Sequence, residues 1–204
     1  MEEKIRFLSD GYEIEGRLEK SSLQKGVVIT HPHPLYGGDM HNNVVAAIAR
    51  VYRQKGYTSL RFNFRGVGNS QGSHGNGIGE REDVRAAVSY LADLGIGQID
   101  LAGYSFGAWV NALAIRDEPP LANMIMVSPP VAFIDFSSIS DLGSLRLIVT
   151  GSRDDIAPPD LIKKSYAAWN AAAQFEVISG ADHFYAGYLD KLEGILTAHL
   201  EDRE

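Results

Sequence analysis

The chain has 204 residues, no cysteine and a formal net charge of -7. That length predicts one domain, 1–204, with a core large enough for a sheet and its covering helices, and the missing cysteines exclude disulfides, thiolate metal sites and a cysteine nucleophile. An acidic balance without any basic cluster argues against a nucleic-acid partner, while an acidic start with no apolar leader-like run, and no stretch long enough to span a bilayer, predicts a cytoplasmic protein with no membrane partner.

Two short segments, 4–8 and 12–18, flank Ser9-Asp10-Gly11 and predict an antiparallel hairpin, with Tyr12, Ile14, Gly16 and Leu18 on one side of its second strand. The apolar run Val27-Val28-Ile29 predicts a strand. A helical pattern follows from about 40, with Val44, Ile48, Val51 and Tyr52 on one face and Gly56 ending it. Strand and helix then alternate: strand 59–64, a helix near 80–94 facing inward through Val84, Val88 and Leu91, and a strand running into Gly103. A helix over 106–116 comes next, then strands at 124–127, 145–149 and 175–178, with a helix around 159–172 before the last of them. A closing helix carries Leu189, Leu192, Leu196 and Leu200. Such alternation predicts an α/β protein with a mostly parallel, twisted sheet, helices on both faces, and the hairpin as an antiparallel edge. The glycine-rich stretch 66–79 lies inside the alternation and reads as a long loop at the carboxyl edge of the sheet.

Residues 99–107, Ile-Asp-Leu-Ala-Gly-Tyr-Ser-Phe-Gly, concentrate the chemistry. An apolar strand ends in G-x-S-x-G with helix formers immediately after, so Ser105 stands at a sharp strand-to-helix turn, a nucleophile elbow. Glycines at 103 and 107 let neighbouring backbone approach a serine in a strained conformation and leave its Oγ projecting from the sheet edge. An activated serine needs a base, and the base needs an acid; with this turn they follow in the order Ser, Asp, His. After the strand ending at Val149 come Asp154 and Asp155, on the edge where parallel sheets build ligand sites, and spacing leaves the choice between them open. The base is His183, in the loop leading to the final helix. His199 reads as a partly exposed helix residue, His74 lies in the glycine loop, and His31, His33 and His41 precede the serine, against the required order.

Oxyanion stabilisation needs two backbone donors, one from the residue after the nucleophile, Phe106, and one from the loop after the 27–29 strand. Pro32 and Pro34 have no N–H, so the second donor is His33, Leu35 or a neighbour, with Leu35 the best fit. Two further patterns carry no function. His31-x-His33 has metal-ligand spacing, but residues 34–38 supply no further ligand, so no metal is expected. Gly66-Val67-Gly68-Asn69-Ser70-Gln71 lacks the third glycine of a dinucleotide fingerprint, and no cofactor is expected.

Together, the segments His-Pro-His-Pro-Leu-Tyr-Gly-Gly from 31, Asn-Phe-Arg-Gly-Val-Gly-Asn-Ser from 63, Gly-Tyr-Ser-Phe-Gly, Gly-Ser-Arg-Asp from 151 and Ala-Asp-His-Phe from 181 resemble the α/β-hydrolase superfamily, in particular small bacterial serine hydrolases related to dienelactone hydrolase. The resemblance covers nearly the whole chain. It implies the α/β-hydrolase fold, Ser105 as nucleophile, Asp154 as acid, since the family acid stands three residues after the glycine, His183 as base, and Leu35 with Phe106 at the oxyanion hole. Dienelactone hydrolases proper use a cysteine nucleophile, where this chain has serine. Only residues 129–144 separate two strands where many members of this fold insert a lid, so no lid domain is expected. An uncapped site predicts small or short-acyl carboxylic esters as the small-molecule substrate, cleaved by two-step acyl transfer without a cofactor. Thioester, lactone or amide hydrolysis would use the same residues.

Overall fold

A computed structural model describes residues 2–115 and 121–202. Eight strands, β1 (Glu2–Ser9), β2 (Tyr12–Glu19), β3 (Lys25–Thr30), β4 (Thr58–Phe62), β5 (Gln98–Tyr104), β6 (Asn123–Val127), β7 (Leu145–Gly151) and β8 (Gln174–Ile178), form one sheet in the order β1-β2-β4-β3-β5-β6-β7-β8. β1 and β2 are the antiparallel hairpin, β2 also runs antiparallel to β4, and every other pairing is parallel. Five helices connect them: α1 (Asn43–Gln54), α2 (Ile78–Asp93), α3 (Phe106–Ala114), α4 (Pro159–Asn170) and α5 (Leu189–Glu201). Residue 116, where the sequence pattern ends the third helix, lies outside the described residues.

Side-chain alternation along the strands builds two cores. Val27, Ile29, Ala102, Tyr104, Ile125 and Val127 face α1 and α5, whereas Val28, Leu60, Phe62, Leu101, Met124 and Met126 face α2, α3 and α4. A register shift opposite Met124 and Ile125 turns Leu145 and Leu147, two residues apart, to opposite faces. The apolar faces read from the sequence are buried in α1, and Leu192, Leu196 and Leu200 are buried in α5. In α2 the inward face differs from a purely apolar stripe: Val84, Ala87 and Leu91 are buried, Val88 only partly, and the acids Glu80 and Asp83 are fully buried.

Those acids organise the glycine-rich loop. Arg65 points its guanidinium at Asp83, Nη2 donating to Oδ1 at 2.8 Å and Nε at 3.1 Å, while the Arg65 backbone N–H donates to Oδ2 at 2.9 Å. Nη2 also reaches Ser9 Oγ and Asp10 Oδ2, both at 3.2 Å, tying loop, helix and hairpin together. Glu80 accepts the N–H groups of Gly75 and Gly77 at 2.8 Å each. Further along, Glu15 on β2 accepts from Asn69 N–H and Asn63 Nδ2, both at 2.7 Å, and Gly68 passes so close to Glu15 that it has no room for a Cβ. The stretch that half resembles a nucleotide loop is thus a strap tied down by acids of β2 and α2.

Parallel strands diverge at β3 and β5: β4 lies on one side of β3 and β5 on the other, so the chain leaves the carboxyl ends of these neighbours in opposite directions. This is the position where α/β sheets open a crevice. His31, just after β3, is fully buried there; its Nε2 accepts the Phe64 N–H at 3.0 Å and its Nδ1–H donates to Pro32 O at 2.7 Å, pinning the exits of β3 and β4 together. Between β6 and β7, Phe136, Ile139 and Leu142 of the connection 129–144 are buried, with the Phe136 ring 5.0 Å from that of Trp169 on α4, so this segment follows the body of the fold. No helix among the described residues is long and apolar enough to cross a membrane.

Two consequences are measurable. Asp83→Ala strands the Arg65 charge and is expected to cost about 3–5 kcal/mol, read as a fall in the urea unfolding midpoint. Burial lowers the His31 imidazole from 6.5 to about 4. The unfolded chain therefore holds more protons than the folded one between those values, and stability rises with pH across that window. The His31 contribution, on the order of 3 kcal/mol, is complete above about pH 6.5 and shrinks as the pH falls towards 4; from about pH 4 to 6.5 the urea unfolding midpoint should rise less in His31→Gln than in wild type.

Candidate active site

Ser105 follows the last residue of β5 and precedes the first of α3 with φ 54° and ψ -120°. A non-glycine residue in this region carries strain of about 1–3 kcal/mol and persists only where its surroundings fix it. Here both flanking glycines are packed against backbone: a Cβ on Gly103 would lie 2.6 Å from Ala108 Cα, and one on Gly107 would lie 2.7 Å from Thr30 O. Beneath the turn, Thr30 Oγ1 donates to the buried Asn111 Oδ1 at 3.1 Å. The Ser105 N–H donates to Val127 O at 2.9 Å, which anchors the turn to β6.

His183 stands in the loop after β8 with Nε2 at 2.9 Å from Ser105 Oγ. Its Nδ1 is 2.9 Å from Asp154 Oδ2 and 3.0 Å from Oδ1. A carboxylate only accepts, so Nδ1 carries the proton and Nε2 presents its lone pair to the serine hydroxyl. Asp154 lies in the loop between β7 and α4, where its Oδ1 also accepts the N–H groups of Ile156 at 2.9 Å and Ala157 at 2.7 Å. Burial alone would raise this carboxyl; the hydrogen bond and charge of His183, the Ala157 N–H and the Ser128 hydroxyl outweigh it and hold it below the ordinary carboxylate range. Asp155 is exposed, so of the two neighbouring acids it is Asp154 that meets the imidazole. An imidazole oriented in this way can take the serine proton and return it to a leaving group.

The two expected oxyanion donors differ in their present engagement. Phe106 opens α3, whose first N–H groups have no acceptor inside the helix. Leu35 sits in a 3-10 turn, Pro34–Tyr36, is 71 % exposed as a residue, and its N–H donates to His33 Nδ1 at 3.2 Å. The His33 ring packs 4.7 Å from Phe106 and 5.0 Å from both Tyr36 and His74. His74 Nδ1 in turn lies 2.7 Å from Glu80 Oε1. His31 and His33 therefore do different work: one is a buried staple with both ring nitrogens engaged, the other packs against Phe106 and accepts the Leu35 N–H. No cluster of three or more His, Cys, Asp or Glu side chains suited to a metal occurs among the described residues. His199, expected to be partly exposed, is buried and lies 2.7 Å from Gln174 Oε1 through Nδ1, because α5 packs that turn onto β8.

Three residues at this centre escaped the sequence reading. Tyr104, inside the elbow, donates its hydroxyl to His183 O at 2.8 Å. Ser128, directly after β6, places its Oγ 2.8 Å from the hydroxyl of the buried Tyr185. Hydroxyls on apolar-looking strand ends leave no pattern in the sequence; only the left-handed backbone of Ser128 and Tyr185 marks them, and that is visible in three dimensions alone.

No family model matches the chain. An uncharacterised protein of Rickettsia prowazekii is 36% identical over 184 residues, spanning 84% of this chain and 77% of that protein. Among solved structures, an α/β serine hydrolase homologue from Coxiella burnetii is 35% identical with a TM-score of 0.89, covering 97% of each chain. An α/β serine hydrolase without a lid from Xanthomonas campestris is 28% identical with a TM-score of 0.90, covering 98% of this chain and 94% of that one. With the strand order, the turn at Ser105 and these likenesses in agreement, the chain belongs to the α/β-hydrolase superfamily, alongside its lidless serine hydrolases.

Proposed function

We propose that the protein is a carboxylesterase-like serine hydrolase that cleaves small or short-acyl esters through an acyl-enzyme intermediate on Ser105. The observation that carries this reading is the continuous line Ser105 Oγ, His183 Nε2, His183 Nδ1, Asp154, with every contact between 2.9 and 3.0 Å. In the first step His183 takes the Ser105 proton as Oγ attacks the ester carbonyl, and Asp154 stabilises the imidazolium that forms. The alkoxide leaves with that proton. In the second step His183 takes a proton from water, the hydroxide attacks the acyl carbon, and Ser105 regains its hydrogen as the acid departs.

The developing oxyanion is assigned to the N–H groups of Phe106 and Leu35. For Leu35 this requires exchanging a neutral imidazole acceptor for an anionic oxygen, a change that favours the oxyanion because charge-assisted hydrogen bonds are roughly twice as strong. Interactions made only in the transition state raise turnover without tightening substrate binding. The short-acyl reading is supported by the brevity of the connection 129–144, which anchors Phe136, Ile139 and Leu142 in the fold, leaves Phe133 exposed and forms no separate lid domain.

A fluorophosphonate probe is expected to modify Ser105 once, as read by intact mass and peptide mapping. Ser105→Ala should lose the adduct entirely and His183→Ala should slow it by a factor of about 1000 or more. Absence of an adduct in folded wild-type protein would leave a binding protein built on a hydrolase fold as the better reading. In a nitrophenyl ester series, kcat/KM should fall from butyrate to palmitate, and faster cleavage of palmitate would refute the short-acyl assignment.

A further inference from the structure

The loops that carry Ser105, Asp154 and His183 are joined unequally. Those of Asp154 and His183 leave neighbouring strands and are stitched together along the main chain: Arg153 N–H donates to Ala181 O at 2.9 Å, Ser152 N–H to Ile178 O at 3.0 Å, and Gly180 N–H to Ser152 Oγ at 2.8 Å. Gly151 passes so close to the Ala181 carbonyl that it has no room for a Cβ. The serine comes from farther off. β5 and β8 are three strand spacings apart, about 14 Å, so the loop carrying His183 reaches back over the ends of β7 and β6. Among the described residues, the elbow 103–107 and the loop 179–188 share the contact of Ser105 Oγ with His183 Nε2 and one other hydrogen bond, from the Tyr104 hydroxyl to His183 O at 2.8 Å.

Tyr104 is the last residue of β5 and is buried. Its ring lies 5.4 Å from the His183 ring at 33° and 6.4 Å from the ring of Tyr185. A carbonyl only accepts, so the phenol is the donor. Burial pushes that phenol far upward, and the charges of Asp154 and Asp182 act in the same direction, so it keeps its proton throughout the accessible pH range. Donor and nucleophile are consecutive residues, while acceptor and base belong to the same residue. The bond therefore fastens the main chain of the histidine to the strand end that carries the serine, without engaging either reacting atom.

We propose that Tyr104 is a positioning residue for the hydrolytic reaction: its hydroxyl tethers the His183 main chain to the elbow and so holds Nε2 at 2.9 Å from Ser105 Oγ. The proposal rests on the triad reading above. Strand order brings the two loops to one edge of the sheet, and the tether fixes their final approach. Two tasks are thereby divided. Tyr104 sets the distance between base and nucleophile, whereas Asp154, stitched to the histidine loop by its own set of bonds, sets the orientation and charge of the imidazole. A residue that governs distance alone changes the rate of proton transfer and leaves the protonation of the base where it was.

Tyr104→Phe keeps the ring against His183 and removes the hydroxyl alone. Its urea unfolding midpoint should fall whatever the role of the residue, because a carbonyl loses its donor; the chemistry of the folded variant decides. The maximal rate of fluorophosphonate labelling at Ser105 should fall about 10- to 100-fold, while the probe concentration giving half that rate holds. The acidic limb of the rate profile should stay in place, whereas Asp154→Asn, which takes a negative charge from the imidazolium, should carry it to lower pH. A lowered midpoint with a wild-type labelling rate makes Tyr104 purely structural and overturns the proposal, as does a slower rate accompanied by a limb displaced as in Asp154→Asn. Should Tyr104→Phe lose its fold, wild-type protein decides: the Tyr104 hydroxyl proton resonance should shift when the probe attaches to Ser105, and an unmoved resonance overturns the proposal. If wild-type protein is not labelled at all, the triad reading fails, and the tether is judged by hydrogen exchange of the Tyr185 and Tyr188 N–H groups in Tyr104→Phe: faster exchange supports it, and unchanged exchange refutes it.

Discussion

Everything at the working edge of this sheet depends on one reversal, the left-handed turn at Ser105. It can exist only because Gly103 and Gly107 let Ala108 and the Thr30 backbone close in on either side, and because the Ser105 N–H is held by Val127. Those contacts join β5 to β3 and to β6. A strained residue is thereby fixed by its two neighbouring strands, and the strands' register decides where its oxygen goes. His183 and Asp154 arrive from β8 and β7, farther out in the same parallel array, so the distances between the three side chains are set by strand spacing more than by loop conformation.

Much of this was legible in the chain. Period-two and period-3.6 patterns delivered all eight strands and the helices connecting them, because burial on both faces of a parallel sheet leaves strong apolar runs. Ser105 and His183 could be placed because each follows a strand end, and the order of strand ends is itself a sequence property; the same position narrowed the acid to Asp154 or Asp155, and only the resemblance chose Asp154. Strand limits were less legible: residues 63 and 64 read as the end of the fourth strand but have already left the sheet, since Asn63 turns to bond with Glu15 and Met40.

What the chain concealed has a common physical origin. Glu80 and Asp83 look like ordinary surface charges on a helix, yet they are buried because a strap of backbone donors and the Arg65 guanidinium need acceptors. His31 looks like a metal ligand until both of its nitrogens are seen to be occupied. Ser128 and Tyr185 look like unremarkable residues beside motifs. In each case the partner lies far away in the chain, and no local pattern announces a polar group whose partner is supplied by another loop.

The 3-10 turn over Pro34–Tyr36 buries none of its residues, with Leu35 and Tyr36 among the most exposed apolar side chains of the protein. Its backbone is closed by hydrogen bonds, Gly38 and Tyr36 returning their N–H groups to His33 O at 3.1 Å. Side chains here can therefore change with little effect on stability while altering what stands beside the serine. The scaffold keeps structural burden and molecular recognition on separate residues, and that separation leaves the turn open to evolutionary drift toward new substrates without threatening the fold that holds the serine in place.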